Sequence, residues 1–449
     1  MSDVQEGKLD ASGNIKEQEN NTTVNAGQNV PVSSTRIPWG AIIALAMGML
    51  VYGVAESYGP VIAITGVIPS EYAWLGLSAP FIAAGVGALL AGYLTDKLGR
   101  RDSFIIVAAM ILIGIIIFLV ASTNVVAIVI SFLLIGMAAI GLETPVITSI
   151  AESIPAKWRG NLEVIVQNFG NLGLALVFIP VLLGLSAFED DVAYVLLFIA
   201  PLAALIIGYW TVKESVPWKA VTGKIEENIK EAWSTIDNKG AETVNVTSSL
   251  GFRFLTITIL GIAQDVGFVY ITYDVAYIYF QSSVADEIPI IGGLFSVVVG
   301  ILLAIFFVHR ISRKIMTTIS YGLMVLLWAL FWGFEVITHS TAGITLLFLM
   351  ALLFLPAEAE WGSRAMLEPE MFPTKKRGTY ISIVRFLVWV IAGSITAVLS
   401  YYYTTPFNIE VGVVMTVFVI AFVFALIWQF KGFETGKKSL SGYDVKKQP

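Results

Sequence analysis

Long apolar runs and short polar breaks alternate along the chain from about residue 38 onward. Each run holds about 20 residues, the length that an α-helix needs to cross about 30 Å of hydrocarbon. About twelve such runs follow one another. They lie near 38–62, 72–94, 103–121, 124–150, 162–186, 192–212, 251–281, 288–308, 315–337, 342–366, 379–402 and 408–430. The pattern predicts an all-α membrane protein with twelve transmembrane helices.

Polar segments divide the chain into regions. Residues 1–36 are rich in Asn, Gln, Glu, Ser and Gly and lack apolar periodicity, which is typical of a disordered tail. A longer polar segment separates two groups of six apolar runs. The predicted regions are the tail 1–36, a first six-helix half 37–212, a linker 213–250, a second half 251–430 and a tail 431–449.

The linker carries an apolar pattern of its own. Its members recur at helical spacing amid Lys and Glu: Ile225, Ile229, Ala232 and Ile236. This spacing predicts an amphipathic helix, which lies either on the cytoplasmic membrane face or in solvent.

Composition and charge place the chain in a cell membrane. The sequence is 57% hydrophobic and only 13% charged, which excludes a soluble globular protein. Nearly all of the 27 Lys and Arg residues fall on one face of the predicted topology, whereas the opposite loops hold acids such as Glu189 and Asp286. With an even number of spans, the positive-inside rule predicts a multi-pass protein with both termini in the cytoplasm.

Two polar segments share one skeleton, AESIPAKWRG at 151–160 and EPEMFPTKKRG at 368–378. Glutamate, proline, lysine, arginine and glycine recur at a constant offset: Glu152, Pro155, Lys157, Arg159 and Gly160 against Glu370, Pro373, Lys375, Arg377 and Gly378. Each segment follows the fourth span of its half, so the chain is a duplicated six-helix unit. Transporters that work by alternating access use such an architecture.

The motifs carry a resemblance to a known family. GYLTDKLGRR at 92–101 resembles the signature that the major facilitator superfamily has between its second and third helices. The repeated Glu, Pro and Arg-Gly pattern, with VKESVP at 212–217, is similar to the sugar porters and to the related organic-acid and phosphate proton symporters. The resemblance implies the major facilitator fold, with two pseudo-symmetric six-helix halves.

The charged residues of these motifs are expected to close the cytoplasmic side. Arginines can form bidentate bonds to the repeated glutamates, and a carboxylate can cap a neighbouring helix N-terminus. The predicted cytoplasmic gate consists of Asp96, Arg100, Arg101, Glu152, Arg159, Glu370 and Arg377. The alternative is that the cations only set topology, but this leaves the constant glutamate spacing unexplained.

Acidic residues inside the predicted spans are candidates for proton coupling, because a charge in the bilayer is costly. They are Glu56, Glu143, Asp265 and Glu360. Glu360 lies four residues before Arg364, so these two could instead neutralise each other. Glu143 and Asp265 have no basic residue nearby in sequence and are expected to be unpaired.

Candidate substrate contacts come from amides and from the resemblance. Gln167, Asn168 and Asn171 lie together in the fifth span, where they bind either a polar ligand or a neighbouring helix. Arg385 matches Gln167 in depth and could attract an anion or pair with Glu143 or Asp265. The resemblance to sugar porters implies that Gln167, Gln264, Tyr273 and Trp389 contact a sugar, while Glu143 and Arg385 favour the organic-acid relatives.

We therefore expect a proton-coupled symporter of a small polar metabolite, either a sugar or a sugar-like or organic acid. The alternatives are an uncoupled facilitator and, less favoured, a transporter-like nutrient sensor. An enzyme is not expected, since His309 and His339 lie far apart at span ends and no nucleophile motif occurs. No cofactor, metal or nucleic acid is expected. The predicted partners are the small-molecule substrate, protons and the lipid bilayer, and the predicted functional unit is a monomer.

Overall fold

The computed structural model describes residues 37–445 except 66–72, 185–188, 238–240, 276–286, 339–343 and 402–406. The predicted disordered tail 1–36 lies outside the described residues. Helices dominate the described part: α1 Trp39–Thr65, α2 Ala73–Lys97, α3 Arg100–Ala121, α4 Val125–Ser153, α5 Ala156–Leu182, α6 Glu189–Thr211, α7 Val216–Val221, α8 Ile229–Ser234, α9 Leu250–Val269, α10 Glu287–Leu302, α11 Arg313–Thr338, α12 Ile344–Glu370, α13 Arg377–Tyr401 and α14 Phe407–Lys431.

The long helices confirm the predicted spans to within a few residues. Within the described residues, ten helices are long and apolar enough to cross a membrane. The other two long helices are α2 and α12, and α12 carries several charged residues in its second half. Two spans extend through π-helical turns, α9 through Tyr270–Val275 and α10 through Leu303–Phe307. The all-α membrane fold with twelve transmembrane helices is therefore present.

Each group of six long helices has its own apolar core. Met49, Phe104 and Ile135 belong to a buried cluster supplied mainly by α1 to α6. Trp328 and Phe418 belong to a second cluster formed by α9 to α14. Large apolar side chains on the outer helix faces remain exposed, as expected for surfaces that contact lipid rather than water.

Glycines let α1 and α5 approach closely. A Cβ added at Gly53 would collide with the carbonyl oxygen of Gly170, and one added at Gly173 would collide with the carbonyl oxygen of Leu50. Close backbone approach through small residues is a common basis of helix association in membranes, where lipid removes the hydrophobic driving force. These glycines therefore set the distance between the two helices.

Replacing Gly53 by alanine is expected to lower thermal stability, because the added methyl group meets backbone that cannot move aside. Overpacking of this kind costs about 1–3 kcal/mol. Unfolding of the detergent-solubilised protein would be followed by tryptophan fluorescence. The matched control is Gly333→Ala in α11, where an added Cβ meets nothing within 4 Å. Equal melting temperatures for the two variants would contradict the packing argument.

The linker does not form the single amphipathic helix predicted over 225–236. It folds as two short helices, α7 and α8, each of 6 residues. Ala232 and Trp233 of α8 are buried, and the Trp233 indole donates a hydrogen bond to Asp444, 3.0 Å away. The apolar residues of α8 therefore pack against the C-terminal tail. The apolar spacing of the linker reflects this contact within the protein.

Linker and tail meet at one end of the helix bundle. This end, here called the basic end, holds Lys97, Arg100, Arg159, Arg313 and Lys375. Thr243 and Ser439 form an isolated parallel bridge there, with the Val244 amide donating to the Ser439 carbonyl at 2.9 Å. The linker and the tail thus cover the basic end together.

Candidate functional site

A cavity lies where the two helix groups meet. Helices α1 and α5 line it from one side, and α9, α10, α12 and α13 line it from the other. Its lining residues are Tyr52, Glu56, Gly170, Asn171, Leu174, Gln264, Asp265, Phe268, Val269, Ser296, Ala357, Glu358, Trp361 and Trp389. A ligand in this cavity would contact both halves at once, as alternating access requires.

Amide side chains of α5 connect the cavity to the second half. Asn171 donates to Glu358 at 2.6 Å and to the side-chain oxygen of Asn168 at 2.9 Å. Asn168 donates in turn to the Val297 carbonyl at 2.7 Å. These amides therefore bond between helices, and Asn171 also lines the cavity.

A row of buried charges runs beside the cavity. Its members alternate in sign and are here called the charge ladder: Glu143, Arg385, Glu368, Arg364 and Asp265. Arg385 is ion-paired with Glu143 and lies 2.5 Å from Glu368. Arg364 lies 3.1 Å from Glu368 and 2.9 Å from Asp265.

The ladder joins the two halves through one residue. Glu143 is its only member from the first half, and Gln167 supports it by donating to its other oxygen at 3.1 Å. Three carboxyl groups face two guanidinium groups, so the ladder has one more acidic group than basic groups. Such an excess in a buried site favours the uptake of one positive charge.

Two sequence-based expectations about these acids are wrong. Glu143 and Asp265 are paired, because their arginines come from helices distant in sequence. Arg364 does not neutralise Glu360, since it bonds Asp265 instead. Both carboxylate oxygens of Glu360 are buried without a hydrogen-bond partner among the described residues.

Charged contacts between the halves are also present at the basic end. The Glu152 cluster consists of Glu152, Arg100, Arg377 and Ser215. Arg100 binds Glu152 with two bonds of 2.8 Å, Ser215 donates to it at 2.5 Å, and Arg377 reaches it from the second half. All three charged side chains are fully buried.

The Glu370 cluster repeats this arrangement in the second half, with Glu370, Arg313, Arg159 and Thr435. Arg313 lies 3.3 Å from Glu370, and Thr435 donates to the carboxylate at 2.5 Å. Arg159 comes from the first half, 3.8 Å away. Each half therefore extends one arginine toward the repeated glutamate of the other half.

Asp96 adds a third contact between the halves. Its carboxylate accepts the backbone amides of Gly378 at 3.0 Å and Thr379 at 2.7 Å, at the start of α13. An anion at this position is stabilised by the helix dipole. The neighbouring Arg101 takes no part, since it bonds the Tyr209 carbonyl at 3.0 Å and its side chain is 30% exposed.

Loop and tail groups reinforce the two clusters. Burial raises the pKa of the Glu214 carboxyl, which nevertheless accepts the Arg100 amide at 2.8 Å. The Tyr443 hydroxyl of the tail donates to the Glu370 carbonyl at 2.8 Å. Burial also raises the pKa of Asp444, and the Thr374 hydroxyl, which donates to it at 2.6 Å, opposes that effect.

The chain matches a family model over nearly its whole membrane region. That model describes the Sugar (and other) transporter family and matches residues 39–446. The chain belongs to the sugar (and other) transporter family. It is accordingly a membrane transporter and not an enzyme.

Individual relatives agree with membership of the sugar (and other) transporter family. The Glucose transporter GlcP of Staphylococcus epidermidis is 27% identical over 373 residues, covering 75% of this chain and 81% of that protein. A double-tryptophan mutant of XylE from E. coli has a TM-score of 0.74 at 20% identity, covering 91% of this chain and 98% of the other. The MFS proton:xylose symporter XylE bound to 6-bromo-6-deoxy-D-glucose has a TM-score of 0.71 at 18% identity, covering 90% of this chain and 98% of the other. These structures confirm the major facilitator fold.

Within this sugar (and other) transporter, the predicted substrate residues divide into two groups. Asn171, Gln264 and Trp389 line the cavity, as do the predicted coupling residues Glu56 and Asp265. Other candidates lie away from the lining: Gln167, Asn168, Glu143, Glu360 and Arg385. The Tyr273 side chain lies outside the described part of the chain.

Several residues of the site were not predicted from the sequence. Glu358 lines the cavity, and Glu368 lies between the two arginines of the ladder. Ser215 and Thr435 hold the two repeated glutamates. The pairs Glu214-Ser215 and Glu434-Thr435 form a second internal repeat, which a comparison of the two segments after the sixth and twelfth spans could have found.

Proposed function

We propose that the protein is a proton-coupled symporter that imports a sugar by alternating access. The two halves would rock about the central cavity, opening it first to one side of the membrane and then to the other. The observation that carries the proposal is the ion pair between Glu143 and Arg385. It joins the halves beside the cavity and belongs to a ladder with an excess of acid.

The coupling follows from the cost of breaking this pair. When the halves separate at the basic end, Glu143 leaves Arg385. A bare carboxylate in that buried site is costly, whereas a protonated one is neutral. A proton taken up at the ladder would therefore favour the transition that carries the sugar across. Protonation of Asp265, the other end of the ladder, would free Arg364 in the same way.

The two glutamate clusters and Asp96 are the proposed gate. They hold the basic end shut, and opening must break the contacts of Arg377 with Glu152 and of Arg159 with Glu370. The concentration of cations there supports a cytoplasmic orientation for this end and for both termini. The gate contacts form only in the state that is closed at the basic end. Their loss therefore changes the ratio of closed to open states more than it changes ligand affinity.

Sugar is the proposed substrate class for two reasons. The cavity combines aromatic walls, such as Trp361 and Trp389, with polar groups from both halves. Rings of this kind stack on the apolar faces of sugars, and polar groups bind hydroxyls. The names of the relatives, a glucose transporter and a proton:xylose symporter, agree with this class.

Internal pH in proteoliposomes tests the proposal. The purified full chain would be reconstituted with a pH-sensitive dye inside, and hexoses, pentoses and organic acids would be added outside in turn. Internal acidification on addition of a sugar is the expected result. Sugar entry without acidification would indicate an uncoupled facilitator, and movement of organic acids alone would contradict the proposed substrate class.

A further inference from the structure

The walls of the central cavity carry acids and no compensating cation. Glu56, Asp265 and Glu358 all line it, and each is more than nine-tenths buried. Lys, Arg and His are missing from the described lining residues. Arg364 bonds one oxygen of Asp265, while Arg385 is held by Glu143 and Glu368. A ligand in the cavity therefore faces carboxyl groups at several points and no available arginine.

The lining also offers hydrogen-bond acceptors. Within the described part of the chain, the Gln264 side-chain oxygen and Asp265 Oδ2 are buried without partners. Both groups accept hydrogen bonds, and both residues are 5% exposed. The Asn171 amide, a donor in the lining, is already bonded to Glu358 and Asn168. Donors on a ligand would satisfy both of these acceptors.

Aromatic rings complete the wall. Tyr52 and Trp361 lie with their ring centroids 6.0 Å apart, and Phe268 and Trp389 also line the cavity. Aromatic faces attract cations and also stack on sugar rings. Carboxylates, unpaired acceptors and aromatic faces together are suited to a protonated amine.

We propose that the substrate is an amino sugar, bound with its ammonium group toward the carboxyl groups of the cavity. The inference rests on the proposed function, since it takes the cavity as the sugar site. An ammonium supplies three donors and one positive charge, which suit the Gln264 oxygen and the carboxyl groups that line the cavity, while the excess acid of the ladder is left for the proton. A uronate or another organic acid brings a negative charge toward Glu56, Asp265 and Glu358 and is disfavoured. Arg385, which the sequence offered as an anion site, is shielded by its two carboxylates.

The affinity of each amino sugar, compared with that of its parent hexose, tests the proposal. Trp361 and Trp389 lie in the cavity wall, so tryptophan fluorescence of the purified full chain reports occupancy. Glucosamine, galactosamine and mannosamine would be titrated near neutral pH against glucose, galactose, mannose and glucuronate. At least one amino sugar is expected to bind about tenfold or more tightly than its parent hexose, since a charge-assisted hydrogen bond is about twice as strong as a neutral one. Glucuronate is expected to bind most weakly.

The variant Glu358→Gln tests whether the charge of this side chain, rather than its size, sets the preference for the amino sugar. This variant is expected to lose most of the preference for the amino sugar over its parent hexose, because the amide keeps the size of the side chain but not its charge. Glu335→Gln, which changes an acid of α11 outside the cavity lining, is the matched control and should keep the preference.

Each outcome decides between the two proposals. Equal affinity for amine and parent sugar, or tighter binding of glucuronate, would overturn the amino-sugar inference while leaving sugar symport intact. An amine preference that survives Glu358→Gln would overturn the assignment of that carboxylate. Failure of every sugar to bind or to enter proteoliposomes would instead contradict the proposed function itself.

Discussion

Replacing Glu143 by glutamine is expected to abolish uphill sugar accumulation while sugar exchange across the membrane continues. The substituted amide resembles a permanently protonated glutamate and can still accept the hydrogen bond from Gln167. The halves can then separate without a proton. With an imposed gradient of one pH unit, one proton per sugar supplies about 1.4 kcal/mol, so the accumulation ratio is expected to fall by about tenfold.

Accumulation and exchange would be measured in the same proteoliposomes, with and without the imposed gradient. Glu335→Gln is the matched control, since it neutralises a membrane acid that belongs neither to the ladder nor to the cavity lining. Size-exclusion profiles would check that both variants fold. Unchanged accumulation in Glu143→Gln would remove this residue from the coupling proposal, and loss of both accumulation and exchange would assign it a structural role.

Replacing Glu152 by glutamine is expected to open the basic end. The change weakens the bonds from Arg100, Arg377 and Ser215 together. Removing one partner of a buried ion pair costs about 3–5 kcal/mol, and every 1.4 kcal/mol shifts the balance between closed and open states about tenfold. Of these three bonds only the one from Arg377 crosses to the second half, so its loss raises the population of the open state at the expense of the closed state.

A single introduced cysteine reports this opening, because the chain has 0 cysteines of its own. Ser382 suits the purpose, since it is 1% exposed and packs against Gly92 across the junction of α13 and α2. In the Ser382→Cys background, maleimide labelling is expected to quicken at least about tenfold when Glu152→Gln is added. Sugar affinity should change much less.

The control for the gate experiment is an ion pair at the same end that lies on the surface. Glu242 is 75% exposed and bonds Lys438 at 2.7 Å, so Glu242→Gln should leave the labelling rate nearly unchanged, as such pairs contribute about 0–1 kcal/mol. Equal labelling in Glu152→Gln and Glu242→Gln would show that the Glu152 cluster does not hold the gate shut.

Local patterns in the sequence determined the helices and the residues of the proposed gate. Burying a helix in lipid requires about 20 apolar residues, so the bounds of α1 or α14 follow from composition alone. The duplicated segment identified Glu152 and Glu370 because a repeated unit keeps the same contacts in both halves. The linker shows the limit of such patterns, since Ala232 belongs to the predicted helical spacing yet is buried, and its neighbour Trp233, outside that pattern, bonds Asp444 of the tail.

The tertiary structure decided which partners the buried charges take, since the sequence left Arg385 open to an anion, to Glu143 or to Asp265. Glu143 meets Arg385 and Asp265 meets Arg364 across 242 and 99 residues of chain, distances over which local spacing carries no information. The pairing also decided which residues face a ligand. Because Arg364 and Arg385 are held by carboxylates of the ladder, the charged groups of the cavity lining are acids. The sequence by itself therefore determined a twelve-helix transporter with a duplicated charged segment, the proposed gate. The packing of its two halves determined where its central charges lie, and the proposed preference for an amino sugar rests on that placement.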